Sequence, residues 1–326
     1  MPATENISVS GSIVYLRVDR YWYCYDVRRS PIGVGAMGTV YLGYNCTTGE
    51  SVAIKRINDK YANDPIVRQL AMQEARYMYR HPNMVEMIGC CTQSRDSGPI
   101  FTLSKFVKGE NIDAYVRHYI NSLDDEFRIP RVVELMYPVL DALDYLHSNG
   151  VIHCDIKPSN IIVENGKNVR LMDLGISVQQ SYDRNGDGAS SGTMGTPLYA
   201  APEQFGKMSH IDMTTDIYEV GVTLYELLVG NNPFKSSSLK ETANRHRNME
   251  LPESCRITKP VLDVLRVATS PEQSKRYGSA LEMKHALEEA LTIKEAWWSR
   301  KIITLVAVIT IIVGVMLTLF FVLWNN

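Results

Sequence analysis

Apolar and polar positions divide the chain into a strand-patterned beginning, a helix-patterned middle and one terminal apolar run. Between residues 13 and 25, Tyr15, Tyr21, Trp22, Tyr23 and Tyr25 stand among Val, Leu and Arg, the composition of an extra strand or hairpin. Such an aromatic cluster reads as packing rather than as a ligand site. Strand-like runs follow at 39–43, 51–55, 84–89 and 99–103. Within 51–55, Val52 and Ile54 alternate with Ala53 and Lys55, so Lys55 shares a face with Ala53. Asn63-Asp64-Pro65 is a helix start, with a capping side chain and a proline at the first helical position. Behind it Ile66, Leu70, Glu74 and Met78 recur every four residues and form one row.

From residue 112 onward the period is helical. Residues 112–121 predict one helix and 130–148 a second, with Val132, Met136, Leu140, Leu143 and Leu146 on its core side. Pro138 falls inside the second, where it should kink the helix or cost about 3 kcal/mol. Two short apolar strands, 161–163 and 169–172, flank the turn Asn165-Gly166. A further helix runs from Asp216 to Leu228, and Leu281, Leu287 and Leu291 close the last soluble one. The pattern is α+β, a small β-rich lobe followed by a larger helical lobe.

The run 302–324 carries no charge. At about 1.5 Å per residue it extends roughly 34 Å, enough to span about 30 Å of hydrocarbon as one transmembrane helix. Trp297, Trp298 and Trp324 flank it as interfacial anchors, and Arg300-Lys301 place its N-terminal side in the cytoplasm. Ala307, Thr310, Gly314 and Thr318 form a small-residue stripe suited to pairing two copies as a homodimer.

Composition narrows the function. A net charge of -2 lacks the basic surplus of a phosphate-backbone binder, so no nucleic-acid partner is expected. Six cysteines, at 24, 46, 90, 91, 154 and 255, lack paired metal-site spacing and read as free thiols of a reducing compartment. No basic and apolar leader opens the chain, so no cleavable signal peptide is expected.

The candidate chemistry centres on residues 153–160, His-Cys-Asp-Ile-Lys-Pro-Ser-Asn, with Asp173-Leu174-Gly175 following. A hydroxyl nucleophile needs a carboxylate to orient it and take its proton, a phosphoryl group in flight needs a cation, and a metal needs hard oxygen ligands. Asp155, Lys157, Asn160 and Asp173 supply these groups. The hairpin after residue 160 brings Asn160 and Asp173 to neighbouring strand ends. Upstream, Gly33, Gly35 and Gly38 make a glycine pattern that continues as strand through Val40. A dinucleotide site needs its glycines to open a helix, which excludes that reading. A glycine-rich hairpin flap instead lets backbone N–H groups approach phosphates closely. Glu74, on an apolar helix face, needs a cationic partner, and Lys55 is the candidate.

Taken together, these motifs resemble protein Ser/Thr kinases, most closely the bacterial, membrane-anchored, eukaryote-like branch. The glycine flap, Val52-Ala53-Ile54-Lys55, Glu74, the stretch 153–160, Asp173-Leu174-Gly175 and Ala201-Pro202-Glu203 occur in that family's order. The resemblance implies a bilobal fold: a tail with an extra strand over 1–25, an N-lobe over 26–107, a C-lobe over 108–291, a juxtamembrane segment over 292–301 and the apolar helix 302–324. It implies ATP and Mg²⁺ as cofactors, Mn²⁺ being an alternative, with Lys55 on the α- and β-phosphates and Glu74 holding it. Asp155 would receive the substrate hydroxyl's proton, Lys157 would face the γ-phosphoryl group, and Asn160 and Asp173 would hold the metal. Adenine would lie among Val40, Ala53 and Ile162, against hinge backbone from Lys105 to Val107, with Ser104 as a small gatekeeper. Asp216 would brace the catalytic loop, Arg276 would pair with Glu203, Thr193 and Thr196 are phosphorylation candidates, and residues 195–199 resemble the Ser/Thr substrate platform. The implied localisation is the cell membrane, single-pass, with the catalytic lobes cytoplasmic.

Three departures carry information. Cys154 stands where many relatives have an arginine that grips a phosphorylated activation loop, so dependence on loop phosphorylation should be weaker. Leu174 replaces a packing phenylalanine, and the stretch from Glu74 to His81-Pro82 is about two residues short. Two rivals are a catalytically silent scaffold and a kinase of small molecules; the complete set Lys55, Asp155, Asn160 and Asp173 opposes the first, and residues 195–203 oppose the second.

Overall fold

In the computed structural model, which describes residues 6–35, 37–76, 79–94, 97–173, 178–179, 196–205 and 211–292, the strand-patterned beginning forms one curved sheet. Met78, Leu174, Thr193, Gly195, the run 302–324 and the stripe within it lie outside the described residues, as do the side chains of Ile66, Leu70 and Glu74. The strands are β1 (Ile7–Ser10), β2 (Ile13–Val18), β3 (Tyr21–Asp26), β4 (Gly33–Val34), β5 (Gly38–Asn45), β6 (Ser51–Ile57), β7 (Met87–Thr92) and β8 (Ile100–Lys105), in the order β1-β2-β3-β5-β6-β8-β7 with β4 paired to β5. Every pairing in this sheet is antiparallel.

The N-terminal aromatic segment is a three-stranded meander whose far end curls back onto β7. Asn6 donates to the Thr92 carbonyl at 3.4 Å and its own carbonyl lies 3.3 Å from Cys91 Sγ. Val14, Leu16, Val18, Tyr23 and Tyr25 thereby close a core with Val52, Ile54, Cys91, Phe101 and Leu103. Period-2 alternation decides which aromatics go inside: Tyr23 and Tyr25 point inward, and Tyr25 stacks 4.7 Å from Tyr41.

Two helices, α1 (Asp59–Ala62) and α2 (Pro65–Arg76), connect β6 to β7. The Asn63-Asp64-Pro65 start is as expected: the Asp64 side chain accepts the Val67 N–H at 3.3 Å. The strand expected at 84–89 is displaced, because β7 runs Met87–Thr92 while Met84 makes a single bridge to Leu171. Burial of Cys91 in the sheet core, opposite Phe101, sets that register.

The second lobe comprises β9 (Gly109–Asn111), α3 (Ile112–Tyr115) running into a wider turn at Val116–Ile120, α4 (Asp125–Glu134), α5 (Tyr137–Ser148), β10 (Val151–Ile152), β11 (Ile161–Glu164), β12 (Asn168–Leu171), β13 (Val178–Gln179), α6 (Met213–Val229), α7 (Leu239–Asn248) and α8 (Lys259–Ala268), with a final helix over 280–292. The single helix expected over 130–148 is two. Pro138 does not kink a helix but opens α5, where its missing N–H costs nothing, while Pro130 lies inside α4. Tertiary bonds override the local penalty there: buried Arg128 donates to the carbonyls of Leu228 at 2.8 Å and Arg256 at 2.5 Å. The packing centre is α6, with Ile217, Val220, Leu224 and Leu228 fully buried against Leu140, Leu143, Val261 and Leu265. Asp212 caps α6 by accepting the Thr214 N–H at 2.8 Å, and Gly230 ends it at φ 93°.

Candidate active site

The glycine pattern is the β4–β5 hairpin, with Gly33 opposite Val40 and the Gly35 N–H donating to Gly38 O at 2.9 Å. A side chain at Gly38 would run into the Arg56 carbonyl, so β5 itself requires that glycine. Gly33 and Gly35 have negative φ and nothing nearer than 3.7 Å to an added Cβ, so neither is demanded by the fold. Bare backbone there suits a ligand that must come close. On β6, Lys55 lies opposite Val40 on one side and Thr102 on the other, and Ala53 lies opposite Leu42 and Ser104. Lys105 and Val107 line a cavity of about 450 Å³ with Arg80, Glu86 and Arg170, and Lys105 pairs with Glu86 at 2.5 Å.

Lys55 Nζ meets Asp173 at 2.8 Å (Oδ1) and 2.6 Å (Oδ2), bridging the two lobes. Asp173 is thus a partner of Lys55; the expected pairing with Glu74 lies outside the described residues, since the Glu74 side chain is among those not described. The β11–β12 hairpin turns through Asn165 (φ 53°) and Gly166 (φ 69°), and Ile161 stands opposite Leu171. The Met172 N–H donates to Asn160 O at 2.8 Å, so the strand end before Asp173 is tied to Asn160. Ile162, in β11, pairs with Asn111 on its other edge.

Around Asp155 the groups converge. Its Oδ2 accepts Lys157 Nζ at 2.6 Å and Asn160 Nδ2 at 3.0 Å, and its Oδ1 accepts the Thr196 N–H at 3.1 Å and hydroxyl at 2.8 Å. Lys157 also donates to Thr196 Oγ1 at 2.6 Å. Burial pushes the Asp155 carboxyl up, but the charge and hydrogen bond of Lys157, the Thr196 hydroxyl and the charge of His153 outweigh it and hold the group below the usual carboxylate range. Asp155 is therefore an ionised acceptor at neutral pH. Asn160 gives its amide hydrogens to Asp155 O and Oδ2, and among the described residues its Oδ1 accepts no hydrogen bond. That oxygen, with the Asp173 carboxylate, fits a hard divalent cation.

The loop itself is held from α6. Asp216 accepts the His153 N–H at 2.9 Å and the Cys154 N–H at 2.8 Å, and His147 Nε2 lies 2.8 Å away, as the brace expected of Asp216. Cys154 sits at φ 63° with its side chain buried against Ile152 and Ile211. The expected pair of Arg276 and Glu203 forms at 2.8 and 3.0 Å, and Thr215 donates to the same carboxylate at 2.7 Å.

Sequence reasoning missed four residues. His147 lies in the last turn of α5, and Glu219 follows Asp216 by three, a spacing that puts both carboxyls on one helix face and could have been read. Gln204 spans from the Ala201 N–H to the Cys154 carbonyl, and His246 stacks 4.1 Å from Phe234 while its Nδ1 lies 2.7 Å from the Tyr218 hydroxyl. Desolvation lowers the His246 pKa to about 4, so this histidine is a neutral packing group at physiological pH.

A family described as protein kinase domain matches residues 27–291. The chain is similar to the serine/threonine-protein kinase PknD of Chlamydia felis, at 26% identity over 86% of this chain and 32% of the relative. It is also similar to a probable serine/threonine-protein kinase PknB of Bifidobacterium longum, at 30% identity over 78% and 38%, and to the serine/threonine-protein kinase TIO of Arabidopsis thaliana, at 33% over 64% and 15%. The chain thus spans well under half the length of each of these relatives.

Proposed function

The chain belongs to the protein kinase family, and from that premise we propose that it transfers the γ-phosphoryl group of ATP to Ser or Thr hydroxyls of proteins. The observation that carries this reading is the convergence of Lys157, Asn160 and Thr196 on one ionised, mostly buried carboxylate, Asp155. A hydroxyl arriving in place of Thr196 Oγ1 would meet the same acceptor, with the Lys157 ammonium already beside it. Asp155 orients that hydroxyl and takes its proton; Lys157 offsets charge on the phosphoryl group in flight. Lys55 presents an ammonium from β6 toward the nucleotide phosphates under the β4–β5 flap. Mg²⁺, held by Asn160 and Asp173, would supply neutralisation of the phosphate oxygens. Rate enhancement then comes from positioning and electrostatics, since the protein forms no covalent bond to substrate.

Lys55→Met is expected to reduce autophosphorylation with labelled ATP by about 10²-fold or more, from loss of a preorganised cation, and phosphoamino-acid analysis of the wild type should give phosphoserine and phosphothreonine. Wild-type transfer in the methionine variant would sink the reading.

Tethering is part of the same proposal. The run 302–324, with its flanking tryptophans and Arg300-Lys301, supports anchorage with the catalytic lobes on the cytoplasmic face, and the stripe Ala307, Thr310, Gly314 and Thr318 suits pairing of two copies. Among the described residues no helix is long and apolar enough to cross a membrane. The full chain should remain in the membrane pellet after an alkaline carbonate wash, and a chain ending before residue 302 should not. Recovery of both in the supernatant would remove the anchor.

A further inference from the structure

Three side chains on one face of α6 reach the loop that carries Asp155. Asp216 takes the N–H groups of His153 and Cys154, as described above. One turn on, Glu219 Oε2 accepts the Ile156 N–H at 2.7 Å, and one turn further the Thr223 hydroxyl donates to the Ile156 carbonyl at 3.1 Å. On the other side of Asp155, Gln204 donates to the Cys154 carbonyl at 3.1 Å. The residues before and after Asp155 therefore have both backbone polar groups clamped, and Glu219 holds the amide directly after Asp155.

We propose that Glu219 is a positioning residue for Asp155: by fixing the Ile156 amide to α6 it sets where the acceptor carboxylate stands relative to the incoming hydroxyl. The proposal deepens the kinase reading and rests on it.

The surroundings say which form of Glu219 does this. It is 1% exposed, and among the described residues no cation is bonded to it. Burial, followed by the nearby charges of Asp216 and Asp155, raises its pKa well above the ordinary value, against the opposing pull of the Ile156 N–H and Gln204. The nearby basic groups bond elsewhere: His147 Nε2 lies on Asp216, His153 Nε2 on the Met172 carbonyl, and Lys157 on Asp155 and Thr196, while the Nδ1 atoms of both histidines are buried without a partner among the described residues. Two carboxylates one turn apart in a dry core would repel each other, so burial and Asp216 favour the neutral form of Glu219. For a group whose folded pKa is raised, stability is fully present below the unfolded value of about 4.5 and is lost as pH climbs through the folded value. The wild type should therefore weaken on the alkaline side in a way a neutral amide would not.

The test compares the full-length wild type with Glu219→Gln, which keeps an acceptor of the same shape, and Glu219→Met, which keeps the volume and leaves the Ile156 N–H unpaired. Expected for methionine is a kcat about 10- to 100-fold lower with KM for ATP within about twofold, the mark of misplacement at the reacting centre. Glutamine should restore kcat to within about threefold of wild type. As pH rises from the unfolded value of about 4.5 through the raised folded one, the Tm and kcat of the wild type should fall relative to the glutamine variant. Methionine with wild-type kcat, or superimposable pH profiles of wild type and glutamine variant, would overturn the proposal; should the methionine variant not fold, the profiles decide. Absence of transfer by the wild type itself would instead fail the kinase reading, and the Tm profiles would still report on Glu219.

Discussion

Replacing Asp155 by asparagine is expected to lower kcat for phosphoryl transfer by about 10²- to 10⁴-fold, the range for loss of a positioned general base, with little change in KM for ATP. Asparagine has nearly the shape of aspartate, but its single carbonyl oxygen can accept from only one of the two donor sets, Thr196 or Lys157 with Asn160, and it cannot take a proton from the attacking hydroxyl. The folding cost should be about 1–3 kcal/mol, since one donor set then faces the amide hydrogens instead of an acceptor. It should also have a definite pH dependence. The folded pKa of Asp155 is depressed, so its stabilising contribution is present above the unfolded pKa and is lost as pH falls through the folded one. The Tm gap between wild type and Asp155→Asn should therefore close on acidification. Single-turnover transfer to a peptide, measured with the Tm of both proteins, checks both parts. Transfer at the wild-type rate by a folded Asp155→Asn protein would remove Asp155 from the chemistry.

Arg276→Ala should produce the largest loss of stability, about 3–5 kcal/mol, because it leaves a buried carboxylate without its counter-charge. The Arg276 side chain is 0% exposed and that of Glu203 8%. The guanidinium also donates to the carbonyls of Ser270, Thr214 and Pro271 and lies 4.8 Å from the Tyr218 ring centroid. One substitution therefore strips five acceptors and a ring face of their partner. Pairing it with Glu203→Gln should recover part of the loss, since the orphaned charge is then gone, whereas two independent surface charges would show no coupling. Denaturant midpoints of the single and double variants decide the matter. A loss under about 1 kcal/mol for Arg276→Ala would mean the pair is replaceable by water.

Much of the site was readable along the chain because its parts are local. Residues 153–160 bring an acid, an amine and an amide within one loop, and the Asn165-Gly166 turn dictates the hairpin that ties Asn160 to the strand before Asp173. The Asp64-Pro65 helix start and the alternation of Ala53 with Lys55 are equally local. Errors arose where long-range packing overrode local preference. The register of β7 follows burial of Cys91 against a meander that begins about eighty residues earlier in the chain. The break between α4 and α5 places Pro138 at a helix start, and a buried arginine fixed to distant carbonyls holds α4 in place despite Pro130.

The order of the glycine flap, Lys55, the loop 153–160 and Asp173 is a property of the sequence alone, since each is a run of residue types whose chemistry needs neighbours only a few positions away. That Lys55 meets Asp173, how the N-terminal meander closes the sheet, and how α6 lifts Asp155 through Asp216, Glu219 and Thr223 were decided only by the tertiary structure. Those contacts join residues 63 to 118 positions apart. Their energies depend on burial and direction, which no local pattern carries: Glu219 reads as an ordinary helix glutamate until the core closes around it and removes the water that would have kept it charged.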